Sequence, residues 1–171
     1  MRTIILIGFM GAGKTTIGTR LAEKTGLLLV DTDAMIEEMA QMTISQIFAL
    51  KGEEAFRATE TRVLEELLNR KEELVISVGG GLPMREENRR LLKQLGTVVY
   101  LKVSAETVLK RLEGDTTRPL LAGPDGKERV SSLLKERGPV YEEAADMILK
   151  VDGKDVEGLI KELEERMEGQ K

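Results

Sequence analysis

The chain has 171 residues, a length that predicts one domain with its own hydrophobic core. Its net charge of −4 offers no basic excess to neutralise a nucleic-acid backbone, so we expect no nucleic-acid partner. It contains neither cysteine nor histidine, which excludes disulfides, thiolate metal sites and the commonest general base.

Five short apolar runs alternate with helical patterns along the chain. The runs cover residues 3–7, 27–31, 74–78, 97–103 and 147–151, and each is almost continuously apolar. Such runs predict strands of a parallel sheet that are buried on both faces and covered by helices. The expected fold is therefore α/β, a five-stranded parallel sheet flanked by helices in a single domain over residues 1–171.

Capping residues mark three helix starts. Thr43 and Gln46 have the spacing of a capping box, and Ser104 and Asp155 stand where N-cap residues belong. These positions predict helices that begin directly after each of them.

Two stretches interrupt the alternation of strands and helices. Residues 33–73 lie between the second and third predicted strands and are long enough for two or three helices. Residues 113–127 contain three glycines and two prolines without periodicity. Because loops of this length in compact domains are usually lids or binding loops, we expect a substrate-binding insertion at 33–73 and a lid at 113–127.

A glycine-rich segment follows the first predicted strand and precedes a predicted helix. It fits the pattern G-x-x-x-x-G-K-[ST] with Gly8, Gly13, Lys14 and Thr15. The backbone N–H groups of such a loop surround phosphate oxygens, the lysine reaches the transferring phosphate, and the hydroxyl holds Mg²⁺. We therefore predict nucleotide binding, with Mg²⁺ as cofactor, by Gly11, Ala12, Gly13, Lys14, Thr15 and Thr16.

Charged residues occupy positions where a ligand could bind. Asp31 and Asp33 follow the second strand, where open α/β sheets bind ligands, and could hold hydrated Mg²⁺ and a hydroxyl nucleophile. Asp33 could equally be a plain helix N-cap. Arg57 and Glu60 share one helix face and could form only a surface ion pair. Arg137 lies in an apolar stripe, where its charge needs an anion from the protein or from a ligand.

Two further features have alternative explanations. Gly79, Gly80 and Gly81 follow the third strand and form either a simple turn or a bare backbone that admits a small ligand. Arg118 lies in the predicted lid, where it could clamp a triphosphate or remain a solvated loop residue.

Six motifs occur in a fixed order: GFMGAGKTT, DTD, IFALKGEEAFRATE, VGGG, TRPLL and ERGPVY. In these motifs, and over nearly its whole length, the sequence resembles the shikimate kinases, P-loop kinases related in fold to the nucleoside monophosphate kinases. The resemblance implies transfer of the γ-phosphate of ATP to the 3-hydroxyl of shikimate with Mg²⁺, in the pathway to chorismate and the aromatic amino acids.

The resemblance also implies residue roles. Lys14, Asp33 and Arg118 would be catalytic, with Asp33 binding ring hydroxyls and serving as base. Thr15 would bind the metal, with Asp31 acting through water. Shikimate would contact Asp33, Arg57, Gly79, Gly80, Gly81 and Arg137, of which the two arginines hold its carboxylate. Glu60 would orient Arg57, Phe48 and Phe56 would wall the pocket, Arg111 and Arg118 would contact the nucleotide, and Lys154 would be a further adenine contact.

Without the resemblance, other functions fit the same residues. The arginines could hold a second phosphate, as in a nucleoside monophosphate kinase or a gluconate kinase. A silent nucleotide-binding module is a third possibility, against which the intact Lys14, Thr15, Asp33 and Arg118 argue. The N-terminal run RTIILIGF is too short for a membrane span and lacks a signal-peptide pattern, so we expect a cytoplasmic protein without a membrane partner. We also expect the protein to be a monomer.

Overall fold

The computed structural model describes residues 2–111 and 125–169. Within these residues a single parallel sheet has the strand order β2-β3-β1-β4-β5. The strands are β1 Ile4–Ile7, β2 Leu28–Asp31, β3 Leu74–Ser77, β4 Thr97–Lys102 and β5 Met147–Lys150. The predicted five-stranded parallel sheet is confirmed, and each strand is one residue shorter than its apolar run.

Helices connect the strands and cover the sheet. They are α1 Lys14–Thr25, α2 Thr32–Ala40, α3 Ile44–Leu68, α4 Glu86–Leu95, α5 Ala105–Arg111, α6 Gly126–Ala144 and α7 Val156–Glu168, with a short 3₁₀ helix at Leu82–Met84. Helix α1 packs against β1, β2, β3 and α7, while α4 packs against β4 and α3. No described helix is long and apolar enough to cross a membrane.

The predicted helix starts are confirmed. Thr43 and Gln46 exchange the two hydrogen bonds of a capping box. The Ser104 hydroxyl accepts a bond from the Thr107 backbone N–H, and the Asp155 carboxylate accepts one from Gly158. Each cap satisfies a donor that the first helical turn would otherwise leave without a partner.

The two interrupting stretches have different outcomes. Residues 33–73 contain the rest of α2 and all of α3, which is kinked at Gly52, where φ is 86°. Residues 113–124 of the predicted lid, and with them Arg118, lie outside the described residues. The last two residues of the predicted lid, Gly126 and Lys127, belong to the first turn of α6.

Burial differs between the centre and the edges of the sheet. Strands β1 and β3 are buried throughout, and β4 is buried except at Lys102. The edge strands β2 and β5 are only partly buried, and Leu28 is 64% exposed. The prediction of strands buried on both faces is therefore wrong for β2 and β5, because each has a neighbouring strand on one side alone.

The registers bring the carboxyl ends of the central strands to one edge of the sheet. Leu6 of β1 and Asp31 of β2 both pair with Ser77 of β3, and Ile7 pairs with Tyr100 of β4. The glycine-rich loop follows β1, the three glycines follow β3, Asp31 is the last residue of β2, and Asp33 lies two residues beyond it. The edge is where open α/β sheets bind their ligands.

Gly96 lets β4 begin close beside the start of β1. A Cβ at this position would clash with the Thr3 carbonyl oxygen, which accepts a hydrogen bond from the Thr97 backbone at 3.0 Å. We expect Gly96→Ala to lower the free energy of unfolding by about 1–3 kcal/mol, the usual cost of overpacking, as measured by urea denaturation.

The control is Gly138→Ala in α6, where an added Cβ meets no atom within 4 Å. Alanine is the better helix former, so this variant should be as stable as the parent protein or more stable by up to about 1 kcal/mol. Equal stability of the Gly96→Ala variant and the parent would contradict the steric argument.

Candidate active site

The glycine-rich loop between β1 and α1 adopts backbone conformations that favour glycine. Gly8, Gly11 and Gly13 have φ values of 150°, 79° and 95°. A Cβ on Gly8 would lie 2.9 Å from the Leu101 carbonyl oxygen. Helix α1 begins at this loop without a side-chain cap, so the N–H groups of its first turn are directed toward an anion-binding position.

Lys14 lies over the same loop. Its ammonium group donates hydrogen bonds to the carbonyl oxygens of Gly8 at 2.5 Å and Phe9 at 3.2 Å. These bonds hold the positive charge beside the turned-in backbone N–H groups. Thr15 and Thr16 follow it on the exposed side of α1.

A cleft of about 260 Å³ adjoins the loop. Arg111 lines it and donates a hydrogen bond from Nη1 to the Gly11 carbonyl oxygen at 2.7 Å. Lys154 lines it too, with its ammonium 2.9 Å from Glu162 Oε2. Besides the predicted Gly11, Ala12, Gly13, Thr16 and Arg111, the lining includes Ile17, Val156 and Leu159, which sequence analysis missed because their helical periodicity is that of core residues.

The aspartate that caps α2 is Asp31. Its Oδ1 accepts hydrogen bonds from the backbone N–H groups of Asp33 at 2.8 Å and Ala34 at 3.3 Å. The alternative that Asp33 is the N-cap is therefore wrong. Burial raises the pKa of Asp33, and the Asp31 carboxylate raises it further, while Lys14 opposes the shift. Asp33 thus lies in a partly buried position within the electrostatic field of the loop lysine.

Arg57 and Glu60 form a buried ion pair. Arg57 Nη1 lies 2.7 Å from Glu60 Oε1, and the Glu60 side chain is 1% exposed. Burial raises the pKa of Glu60, and the hydrogen bond and charge of Arg57 oppose that rise. Glu60 Oε2 has no hydrogen-bond partner among the described residues. The alternative of a surface ion pair is therefore wrong.

The three glycines that follow β3, residues 79–81, form a segment that we name the glycine turn. A Cβ on any of them would lie close to a charged side chain. A Cβ on Gly79 would lie 2.8 Å from Asp33 Oδ1, and one on Gly80 would lie 3.3 Å from Arg137 Nη1. A Cβ on Gly81 would lie 2.6 Å from both Nη atoms of Arg57. The glycine turn therefore brings together three predicted substrate-binding side chains from α2, α3 and α6.

The aromatic residues of the predicted pocket wall also meet. The rings of Phe48 and Phe56 lie 4.8 Å apart, and the Arg57 guanidinium lies 5.2 Å from the centre of the Phe56 ring. Phe56 is buried, whereas Phe48 is 40% exposed. The wall therefore has a buried base and an exposed rim.

A buried hydrogen-bond chain that sequence analysis missed connects α3 to the 3₁₀ helix that follows the glycine turn. The Thr61 hydroxyl donates to Asn88 Oδ1 at 2.7 Å, and Asn88 Nδ2 donates to the Leu82 carbonyl oxygen at 2.9 Å. Asn88 is completely buried. Its spacing of four residues from the buried Leu92 is the one sequence signal that places it on the inner face of α4.

A family model described as shikimate kinase matches residues 10–168. The chain belongs to the shikimate kinase family. It is 45% identical to the shikimate kinase of Histophilus somni over 152 residues, which are 88% of this chain and 86% of that protein. It is 42% identical to the shikimate kinase of Dictyoglomus turgidum over 168 residues, 96% of each chain.

Solved shikimate kinase structures share the fold. The shikimate kinase from Acinetobacter baumannii in complex with shikimate has a TM-score of 0.92 and 39% identity, with coverage of 100% of this chain and 95% of that one. The resemblance inferred from the six motifs is confirmed, as is the predicted P-loop kinase fold of the shikimate kinases.

In the described part of the chain, the predicted site residues form two groups. Both groups lie at the edge of the sheet where the strands have their carboxyl ends. Lys14, Thr15 and Arg111 surround the glycine-rich loop and its cleft. Asp33, Arg57 and Arg137 surround the glycine turn. Lys14 and Arg57 both act on the pKa of Asp33, so the two groups adjoin at that carboxylate. Their individual roles stay predictions.

Removing the Arg57 charge should raise the pKa of Glu60 further. Arg57 stabilises the ionised carboxylate of Glu60, so in Arg57→Ala the cost of burial is no longer opposed by this partner. A carboxyl-detected NMR titration measures the change. Arg20→Ala on the surface of α1 is the control and should leave the Glu60 titration where it is; a lower Glu60 pKa in Arg57→Ala would contradict the assignment.

Proposed function

We propose that the chain transfers the γ-phosphate of ATP to the 3-hydroxyl of shikimate and produces shikimate 3-phosphate and ADP. In this reaction the bond from the γ-phosphorus to the bridging oxygen of ADP breaks, and a bond from that phosphorus to the hydroxyl oxygen forms. The hydroxyl loses its proton. Membership of the shikimate kinase family supports both substrates and the place of the reaction on the way to chorismate and the aromatic amino acids.

The position of Asp33 is the observation that carries the proposal. Its carboxylate lies against Gly79 and in the field of both Lys14 and Arg57. A hydroxyl that hydrogen-bonds to Asp33 would therefore face the phosphate bound at the loop, with Asp33 orienting it and accepting its proton. Lys14 would neutralise the charge that develops on the transferring phosphate.

The two arginines supply donors for a carboxylate. The guanidinium groups of Arg57 and Arg137 both lie beside the glycine turn. Because the glycines have no side chains, both groups can approach the same backbone segment. A guanidinium can give a carboxylate two parallel charge-assisted hydrogen bonds. This arrangement supports a small hydroxylated carboxylic acid as the phosphate acceptor.

The donors near the loop fit Mg²⁺. Thr15 offers a hydroxyl, and Asp31 uses only Oδ1 for its helix cap, which leaves Oδ2 for a bound water. These are hard oxygen donors, the kind that Mg²⁺ prefers. Among residues 2–111 and 125–169 no three His, Cys, Asp or Glu side chains gather into a metal cluster. Most ligands would therefore come from phosphate oxygens and water, and Mg²⁺ bound there would neutralise phosphate charge.

Removing Mg²⁺ should stop turnover, and Thr15 should set how much Mg²⁺ is needed. Excess EDTA should abolish ADP formation, and added Mg²⁺ should restore it. Thr15→Val removes the hydroxyl and should raise the half-saturating Mg²⁺ concentration by about tenfold, the loss of one hydrogen bond or ligand bond. Thr15→Ser retains the oxygen and should behave like the parent; full activity in EDTA would contradict the Mg²⁺ assignment.

A comparison of acceptors tests the proposed function. ADP formation is followed with ATP, Mg²⁺ and one of shikimate, gluconate or AMP, and Lys14→Ala prepared in the same way controls for a contaminating kinase. Turnover with shikimate alone supports the proposal. Turnover with gluconate or AMP would favour the rival kinases, and turnover with none of them would favour a silent nucleotide-binding module.

Arg57→Lys or Arg137→Lys should weaken shikimate binding selectively. Lysine has a point charge without the planar fork, so the KM for shikimate should rise about tenfold or more, corresponding to roughly 1.5–3 kcal/mol for a bond to a charged group. The KM for ATP should change less than the KM for shikimate, because both guanidinium groups lie beside the glycine turn, and the contact of Arg137 with the glycine-rich loop is with the Phe9 ring, at 5.9 Å.

The methyl ester of shikimate provides the matched control for the arginine variants. It removes the carboxylate charge and should raise the KM of the parent enzyme by a similar factor. In Arg137→Lys the two losses should not add, because both remove the same interaction. Full additivity would mean that Arg137 is paired within the protein and that the carboxylate has another partner.

The expected state of the protein in the cell completes the proposal. We retain the expectation of a cytoplasmic monomer that binds neither nucleic acid nor membranes. The net charge of −4 supports the expectation that the protein does not bind nucleic acid, since it provides no basic excess to neutralise a phosphate backbone.

A further inference from the structure

Two residues of helix α6, Arg137 and Tyr141, lie beside Gly80. The two residues are one turn apart, so their side chains lie on one face of the helix. Tyr141 is completely buried, and its hydroxyl donates a hydrogen bond to the Gly80 carbonyl oxygen at 2.6 Å. A Cβ on Gly80 would lie 3.3 Å from Arg137 Nη1 and 3.6 Å from the Tyr141 hydroxyl.

The Tyr141 hydroxyl has a fixed direction. Its single proton is engaged with the Gly80 carbonyl, so its oxygen can only accept from a neighbouring donor, and the Arg137 guanidinium lies beside the same glycine. Burial raises the pKa of Tyr141 to about 12, although a hydrogen bond and the charge of Arg137 oppose the shift. The phenol therefore stays protonated near neutral pH, and its hydroxyl and the Arg137 guanidinium lie beside the same glycine.

The other arginine has a different anchor. One turn after Arg57, the Thr61 hydroxyl reaches the Leu82 carbonyl through Asn88. Arg57 itself is held by the buried Glu60. Tyr141 takes part in neither of these contacts, so the two arginines can be perturbed separately.

We propose that Tyr141 is a positioning residue whose hydroxyl holds Arg137 against the glycine turn, with the guanidinium directed at the substrate carboxylate. This inference rests on the proposed function. Tyr141 does not itself contact the reacting atoms in this proposal. It limits the rotation of a long side chain that would otherwise have to be ordered when the substrate binds.

Tyr141→Phe tests the inference, because it removes the hydroxyl and retains the ring that packs against Tyr100 at 5.1 Å. The KM for shikimate should rise about fivefold to tenfold, the effect of one typical hydrogen bond, because the hydroxyl acts on the substrate only through Arg137. The kcat and the KM for ATP should stay within about twofold. Tyr100→Phe, which removes a hydroxyl from the adjacent buried ring on β4, should leave all three constants unchanged. An unchanged KM for shikimate in Tyr141→Phe would overturn the inference.

Double-mutant cycles separate positioning from a general structural effect. Tyr141→Phe combined with Arg137→Lys should raise the KM for shikimate less than the product of the single effects, because both changes act on one interaction. Combined with Arg57→Lys, the coupling should be smaller, because Tyr141 contacts neither Arg57 nor Glu60 and acts only through the shared carboxylate. Multiplicative effects in both pairs would mean that Tyr141 supports the fold alone and would overturn the inference.

A measurement without substrate keeps the inference distinct from the proposed function. The side-chain Nε–Hε order parameters of Arg137 and Arg57 are measured by NMR in the parent and in Tyr141→Phe. The Arg137 value should fall in the variant, while the Arg57 value should stay unchanged; no fall at Arg137 would overturn the positioning role. If the parent does not phosphorylate shikimate, the proposed function fails, and this comparison still decides the role of Tyr141.

Discussion

The contact between the glycine turn and three charged side chains is the constraint on which the site depends. Asp33, Arg57 and Arg137 come from α2, α3 and α6, and each lies where one of the three glycines would otherwise carry a Cβ. Strand β3 lies next to β1, so the turn that follows it adjoins the glycine-rich loop. One short backbone segment therefore sets the spacing between the groups proposed to bind the hydroxyl and the carboxylate, and also their distance from the glycine-rich loop. Alanine at any of the three positions would displace one of these groups.

Burial of the charged groups has a cost that the arrangement partly offsets. Burial raises the pKa of both Asp33 and Glu60, which means that the protein environment disfavours their ionised forms. Arg57 opposes the shift at both carboxylates, and Lys14 opposes it at Asp33. The same arginine thus stabilises the acid that orients it and the acid that is proposed to hold the hydroxyl. Loss of Arg57 would therefore affect both halves of the acceptor site.

Local sequence patterns predicted the fold and most of the residues of the candidate site. Contacts between residues distant in sequence could not be predicted from such patterns. Apolar runs and the spacing around Lys14 are local signals, and they predicted the strands and the phosphate loop. The exposure of Leu28 depends on its place at the edge of the sheet, which no local pattern encodes. The burial of Glu60 depends on how α3 packs, since the same spacing suits a surface ion pair. Asn88 and Tyr141 were missed because their partners are backbone carbonyls distant in sequence.

The charges around the glycine turn favour a singly charged acceptor. Arg57 lies 2.7 Å from the buried Glu60 carboxylate, and the charge of Arg137 also opposes the rise in the pKa of Glu60. Asp33 also lies at the glycine turn, so with both carboxylates ionised the two arginines, Asp33 and Glu60 together are close to neutral. A substrate carboxylate would add one negative charge to this cluster, whereas a phosphate monoester would add up to two close to the Asp33 carboxylate. Like charges at short range disfavour binding, so under the proposed function an acceptor with a single carboxylate would be favoured over a nucleoside monophosphate.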